Sequence, residues 1–167
     1  MSWLVLWVAQ GFGTGRIPIA PGTFGSLIGL LWFVLLVKTG CPACFFGGTL
    51  AGIALSIWLC GKGEQILKQT DPGSIVLDEI AAMPICFVPW LLRFWLRDSQ
   101  WPRPEDFWQA NGWAGMLIVF ILFRLFDIAK PWPIRRSQNL PGGWGVTIDD
   151  VLAAVYAAIV SGIALLL

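Results

Sequence analysis

The chain has 167 residues, 57% hydrophobic and 13% charged, with a mean hydropathy of +0.74 and 11 each of Trp and Phe. This excludes an ordinary soluble domain and indicates one membrane-embedded domain over residues 1–167. The formal net charge of +1 supplies no basic field for a nucleic-acid partner. With no histidine, imidazole bases, phosphohistidine intermediates and imidazole metal ligands are excluded, so a bound metal would have oxygen ligands.

Met1 to Ala9 is apolar but lacks a basic leader and a small-residue cleavage site, so it is expected as an amphipathic helix lying on the bilayer rather than a signal peptide. Gly11 to Leu27, GFGTGRIPIAPGTFGSL, is dense in Gly and Pro and is expected as a loop. Apolar spans follow at Gly25 to Val37, closed by Lys38, Gly40 and Pro42, and at Cys44 to Cys60, closed by Gly61, Lys62, Gly63 and Glu64. Both are short against the roughly 20 residues that cross hydrocarbon, so interfacial residues must extend them. Glu64 to Ser74 is polar and ends in the turn signal Asp71-Pro72-Gly73. Ile75 to Leu92 is a third span, apolar except for Asp78 and Glu79, in which Pro84 and Pro89 predict a kinked or broken helix. Arg93 to Asn111 is a polar connection, Gly112 to Ala129 a fourth span and Val151 to Leu167 a fifth. The pattern predicts an all-α polytopic bundle of about five spans with an N-terminal interfacial segment. Cys41, Cys44, Cys60 and Cys86 lie in or beside apolar runs and suit small packing roles better than a redox or metal pair.

An antiparallel bundle carries alternate span ends to the same membrane face. Asp78 and Glu79 begin the third span, Asp127 ends the fourth, and Asp149 and Asp150 precede the fifth, so all of these acids reach one face. Ionisable groups at bilayer depth are costly and face an interior or a watery cavity with partners. Arg124, Asp127 and Lys130 are spaced three apart, on one helical stripe. Carboxylates gathered without imidazole suit a hard cation such as Mg²⁺, and the bases beside them suit phosphate. Arg124 and Lys130, with Arg135 or Arg136, would hold anionic oxygens. The Gly-rich segments Gly11 to Gly15, Pro21 to Ser26 and Gly142 to Gly145 would bring backbone N–H groups to an anion, with Thr14, Thr23 and Ser26 as hydroxyl-bearing substrate candidates. The bland alternative is a set of structural ion pairs anchoring helix ends. Arg16, Lys62, Lys68, Arg124, Lys130, Arg135 and Arg136 outnumber Lys38, Arg93, Arg97 and Arg103 on the opposite face, which places the acids on the cytoplasmic side.

The segments GTGRIPIAPGTFGSL, DPGSIVLDEIAAM, FRLFDIAKPWPI and GGWGVTIDD, in this order and spacing, resemble the phosphatidylglycerophosphatase A family. The resemblance implies a Mg²⁺-dependent lipid phosphatase of the bacterial inner membrane that converts phosphatidylglycerophosphate to phosphatidylglycerol in phospholipid biosynthesis. The family's acidic positions fall on Asp78, Glu79, Asp127, Asp149 and Asp150, which are the catalytic candidates, and its basic ones on Arg124 and Lys130. The mechanism expected from this has Mg²⁺ held by some of Glu79, Asp127, Asp149 and Asp150, with Arg124 and Lys130 binding phosphate oxygens. Ala82, Thr147 and Ala154 depart from the family's usual Gly, Met and Gly. No catalytic role falls on Ser137, Gln138 or Asn139.

The attacking group is either water, with an acid such as Asp78 as base, or a carboxylate that becomes an acyl-phosphate. The absence of an Asp-x-Asp nucleophile motif tilts the choice towards water. Phosphatidate or another lipid phosphate is the alternative substrate. From other classes, a cation transporter would need acids near mid-bilayer on several spans, and a non-catalytic scaffold would use the acids as salt bridges.

Overall fold

A computed structural model describes residues 2–108 and 112–165. The first residue of the N-terminal segment, the end of the Arg93 to Asn111 connection and the last two residues of the fifth span lie outside the described residues. Within them the chain is helical, with no strand: α1 (Ser2–Ala9), α2 (Pro21–Lys38), α3 (Pro42–Leu67), α4 (Leu77–Ala82), α5 (Val88–Asp98), α6 (Gly112–Ala129), α7 (Ile134–Ser137) and α8 (Gly143–Ala164), with 3₁₀ turns at Gly11–Arg16, Met83–Phe87 and Pro104–Phe107. Five helices are long and apolar enough to cross a membrane, the third being α4, the Met83–Phe87 turn and α5 in series.

Several boundaries differ from the sequence expectation, each for a physical reason. The segment from Pro21 is the start of α2 and not a loop. Pro21 sits at the first helical position, where its missing N–H costs nothing, and Ala20 enters from the left-handed region (φ 49). Gly22, Gly25 and Gly29 form a stripe down α2, and a Cβ on Gly29 would stand 2.7 Å from the Met83 Cβ. They are packing glycines that let α2 approach α4 closely. Likewise α3 runs on through Gly61 and Gly63 to Leu67, and is closed by Lys68 at φ 53. The fifth span begins at Gly143, not Val151, because Gly143 and Gly61 allow α3 and α8 to cross in backbone contact: a Cβ on Gly143 would lie 1.9 Å from the Ile57 carbonyl oxygen. Gly142 to Gly145 is therefore a helix start at a crossing. The third span breaks at Met83–Phe87, where prolines were expected to kink it, and extends to Asp98, so the beginning of the expected polar connection is helical.

Two clusters hold the bundle together. Phe33, Phe45, Phe87 and Phe107 pack away from the acids, with Phe33 stacked on Phe87 at 4.1 Å between centroids and edge-on to Phe45 and Phe107. Ala153, Ala154 and Ala157 of α8 are fully buried in the same core, where small side chains allow close helix approach. In the second cluster Val5, Val8 and Ala9 of α1 pack on Leu59, Cys60, Ile75, Leu77 and Val146. The N-terminal helix is thus docked on α3 and the entry to α4, and the Ala9 carbonyl accepts from the Val76 N–H at 3.0 Å. It is apolar all round rather than amphipathic, and it packs one side on protein while Trp3 and Leu4 stay exposed. Thr147 is buried and hydrogen-bonds Ser56 at 3.0 Å, a polar clasp between α3 and α8 that accounts for a hydroxyl at this position.

Gly143→Ala is expected to lower the stability of the detergent-solubilised protein by about 1–3 kcal/mol, the range for overpacking. Gly47→Ala, where a Cβ meets open space, should be neutral or slightly stabilising. Thermal unfolding of the two variants side by side checks this.

Candidate functional site

The acids enter the site from three helix ends. Asp78 and Glu79 occupy the first turn of α4, where a carboxylate is favoured by the partial positive charge of the helix N-terminus. Asp127 stands in the last turn of α6, and Lys130 follows just beyond that helix's C-terminus, the end that favours a cation. Asp149 and Asp150 lie in the second turn of α8. All five, with Lys130, line one cavity of about 80 Å³, closed by Asp71, Gly73, Ile75 and Val146. Asp78, Asp127, Asp149 and Asp150 retain 2–8% of their surface, so their charges must be met by protein groups or by whatever enters the cavity.

Two bases meet part of that charge. Arg124 donates through a single nitrogen, Nη1, to Asp127 Oδ2 at 2.7 Å, Glu79 Oε1 at 2.9 Å and Ser26 Oγ at 3.3 Å. Lys130 Nζ hydrogen-bonds Asp149 Oδ2 and stands 3.8 Å from Asp127 Oδ1. Burial alone would lower the pKa of Lys130, but the Asp149 hydrogen bond and the charges of Asp149, Asp150 and Asp127 outweigh it and raise the pKa above the ordinary lysine value, so Nζ stays protonated. Asp78 Oδ1 accepts from the Glu79 N–H at 3.0 Å, and Asp149 Oδ1 from the Asp150 N–H at 3.1 Å. Glu79 Oε2 and Arg124 Nε are buried with no hydrogen-bond partner among the described residues.

The remaining residues singled out in the sequence stand elsewhere. Arg124 is not on the cavity wall; it lies behind Glu79 and Asp127 and ties α2, α4 and α6 together. Ser26 is fully buried, donates to the Gly22 carbonyl at 2.8 Å and receives Arg124, so it serves that tie. Thr14 spends its hydroxyl on the Gly11 carbonyl at 2.8 Å within the 3₁₀ turn, and Thr23 does not line the cavity. Arg135 and Arg136 are exposed on α7.

Two features escaped the sequence reading. Asp71, taken there as a turn residue only, lines the cavity; its place at the head of DPGSIVLDE was the available signal. Gly22 and Gly25, taken as parts of an anion-binding loop, seat Glu79: a Cβ on Gly22 would come within 2.1 Å of Glu79 Oε1, and one on Gly25 within 2.5 Å of Oε2. Their spacing of three on a helix face was that signal.

The donor set is suited to a hard cation. Every ligating atom the cavity offers besides Lys130 is oxygen, carboxylates exceed bases, and Glu79 Oε2 lacks a partner. A cavity of about 80 Å³ has room for an ion together with a small anionic group such as a phosphate. Among the described residues no three acids are already gathered as a ligand cage: Asp127 and Asp149 are held by Arg124 and Lys130, and the others face the cavity from separate walls.

Residues 7–165 match the family model described as Phosphatidylglycerophosphatase A. The chain is 38% identical to Phosphatidylglycerophosphatase A of Haemophilus influenzae over 156 residues, covering 92% of this chain and 83% of the relative. It is 35% identical to the Escherichia coli protein of the same name over 153 residues, covering 90% and 77%. It is also 34% identical over 170 residues, covering 98% and 94%, to a Bacteroides thetaiotaomicron protein provisionally named a phosphatidylinositol-3-phosphatase. No solved structure matches.

Replacing Arg124 by Ala would leave Glu79 and Asp127 without their cation. The expected loss is about 3–5 kcal/mol, the cost of breaking a buried pair from one side, and Lys at this position should restore part of it, because all three contacts run through one nitrogen and an ammonium also carries three donors. Denaturant unfolding of both variants in detergent is the measurement.

Proposed function

Since the chain belongs to the phosphatidylglycerophosphatase A family, we propose that it is a membrane lipid phosphatase that removes the terminal phosphate of phosphatidylglycerophosphate, releasing phosphatidylglycerol and inorganic phosphate for phospholipid biosynthesis. The observation that carries this is the single cavity in which Asp78, Glu79, Asp127, Asp149 and Asp150 face Lys130 at one end of the bundle. A transporter would need such groups near mid-bilayer on several spans, whereas here they lie at helix ends. A scaffold would have no use for carboxylates in excess of their bases around a cavity.

In this proposal Glu79, Asp127, Asp149 and Asp150 hold Mg²⁺. The ion would neutralise charge building up on the transferring phosphoryl group, as metals do in phosphoryl transfer. Lys130, kept protonated by its acidic neighbours, stands beside Asp149 and Asp127 and would bind a non-bridging phosphate oxygen. Asp78 has Oδ1 engaged by the Glu79 N–H, which leaves Oδ2 to take a proton from the attacking water. Arg124 holds Glu79 and Asp127 in place from behind the cavity, so its part is to position the acids. The helix ends bearing the acids belong to the side with more Lys and Arg, which supports an active site on the cytoplasmic face of a bacterial inner membrane. The Bacteroides relative favours a second substrate reading, a phosphorylated inositol lipid, which differs in head group and not in chemistry.

Purified protein assayed for phosphate release across phosphatidylglycerophosphate, phosphatidylinositol 3-phosphate and phosphatidate should prefer the first, lose activity in EDTA and recover it with Mg²⁺. Glu79→Gln and Asp150→Asn should each lower kcat by about 100-fold or more. Wild-type turnover in both variants, or full activity in EDTA, would overturn the metal assignment; release from none of the lipids would overturn the function.

A further inference from the structure

Against the catalytic cavity lies a second, larger hollow of about 290 Å³, and the two share Asp71 and Val146 as a common wall. The catalytic cavity holds about 80 Å³, enough for the scissile phosphate and its counter-ion, so whatever connects that phosphate to the lipid must sit outside it. The second hollow stands at the right depth. Helix α3, at 26 residues, is about 39 Å long, against about 30 Å of hydrocarbon, and the excess is at the polar end bearing Glu64 and Gln65, which line the hollow together with Lys68. That end reaches the layer where lipid head groups lie.

The wall chemistry selects what fits. Gln69 and Gln138 face the hollow with Glu64 and Asp71, and amides beside carboxylates recognise hydroxyl groups, offering both donors and acceptors. Two of these groups are already fixed: Glu64 Oε1 accepts the Asp71 N–H at 2.8 Å, and Gln138 Nε2 donates to Asp71 Oδ2 at 3.3 Å. The Gln69 side chain makes no hydrogen bond among the described residues, and Lys68 forms no ion pair among them. Resting on the phosphatase function above, we infer that this hollow is the head-group subsite. It takes the hydroxyl-bearing linker between the scissile phosphate and the lipid's phosphodiester, and Gln69 and Gln138 select substrates whose linker carries a free hydroxyl. Lys68 supplies the counter-charge for the phosphodiester.

The test compares phosphatidylglycerophosphate with an analogue in which propane-1,3-diol replaces the linking glycerol, so that only the free hydroxyl is missing. Wild-type protein should favour the glycerol lipid in kcat/KM by about tenfold, the worth of one hydrogen bond, and Gln69→Ala or Gln138→Ala should erase the preference by lowering kcat/KM on the glycerol lipid alone. Equal wild-type rates on the two lipids, or a preference kept by both variants, would overturn the subsite. Wild-type release of phosphate from neither lipid is a different result, and it would overturn the phosphatase function on which the subsite rests.

Discussion

One guanidinium nitrogen gathers the site. Through Nη1, Arg124 on α6 reaches Asp127 on its own helix, Glu79 on α4 and Ser26 on α2, so three helices are tied at the end where they carry their charges. In an environment that solvates ions poorly, each of these carboxylates would be costly alone. Lys130 does the same between α6 and α8 by bonding Asp149. Together the two bases set the separation of the helix ends, and the cavity is the space left between them.

That arrangement depends on glycine. Glu79 can lie against α2 because Gly22 and Gly25 present no side chain there, and α8 can bring Asp149 and Asp150 to the same depth because it crosses α3 at Gly143 and Gly61. The aromatic core around Phe33 and Phe87 is remote from the acids and fixes the other half of the bundle. The buried charge pairs thus lie at one end of the helices, while apolar packing runs through both, with Ile75 and Val146 of the second cluster closing the cavity itself. This placement suits a phosphatase of a lipid: hydrocarbon meets the apolar flanks while water and phosphate meet the acidic end. The polar hollow beside Asp71 extends that end into the head-group layer.

How far the sequence carried can be seen residue by residue. The membrane class followed from hydropathy, and α6 could be bounded at Gly112 and Ala129 because the run between them is apolar except for Arg124 and Asp127. The convergence of Asp78, Glu79, Asp127, Asp149 and Asp150 on one face followed from counting span reversals. The starts of α2 and α8 could not be read, since glycine in a sequence signals a turn as readily as a close helix contact, and only the neighbour across the interface distinguishes them. Docking of Ser2–Ala9 on α3 was equally hidden, because an apolar segment is suited to lipid and to protein alike.

By itself the sequence determined what is local and periodic: which stretches are apolar enough to span, at which end of each the charges fall, and that any metal must have oxygen ligands because histidine is absent. Only the tertiary structure decided which group faces which. It put Lys130 on the cavity wall and Arg124 behind it, brought Asp71 in from a turn, and turned Gly22 and Gly25 from a loop into the seat of Glu79. The reason is that a side chain's partner across an interface depends on the depth and rotation of two helices, which are set by contacts far apart in the chain and leave no period in either helix's own sequence.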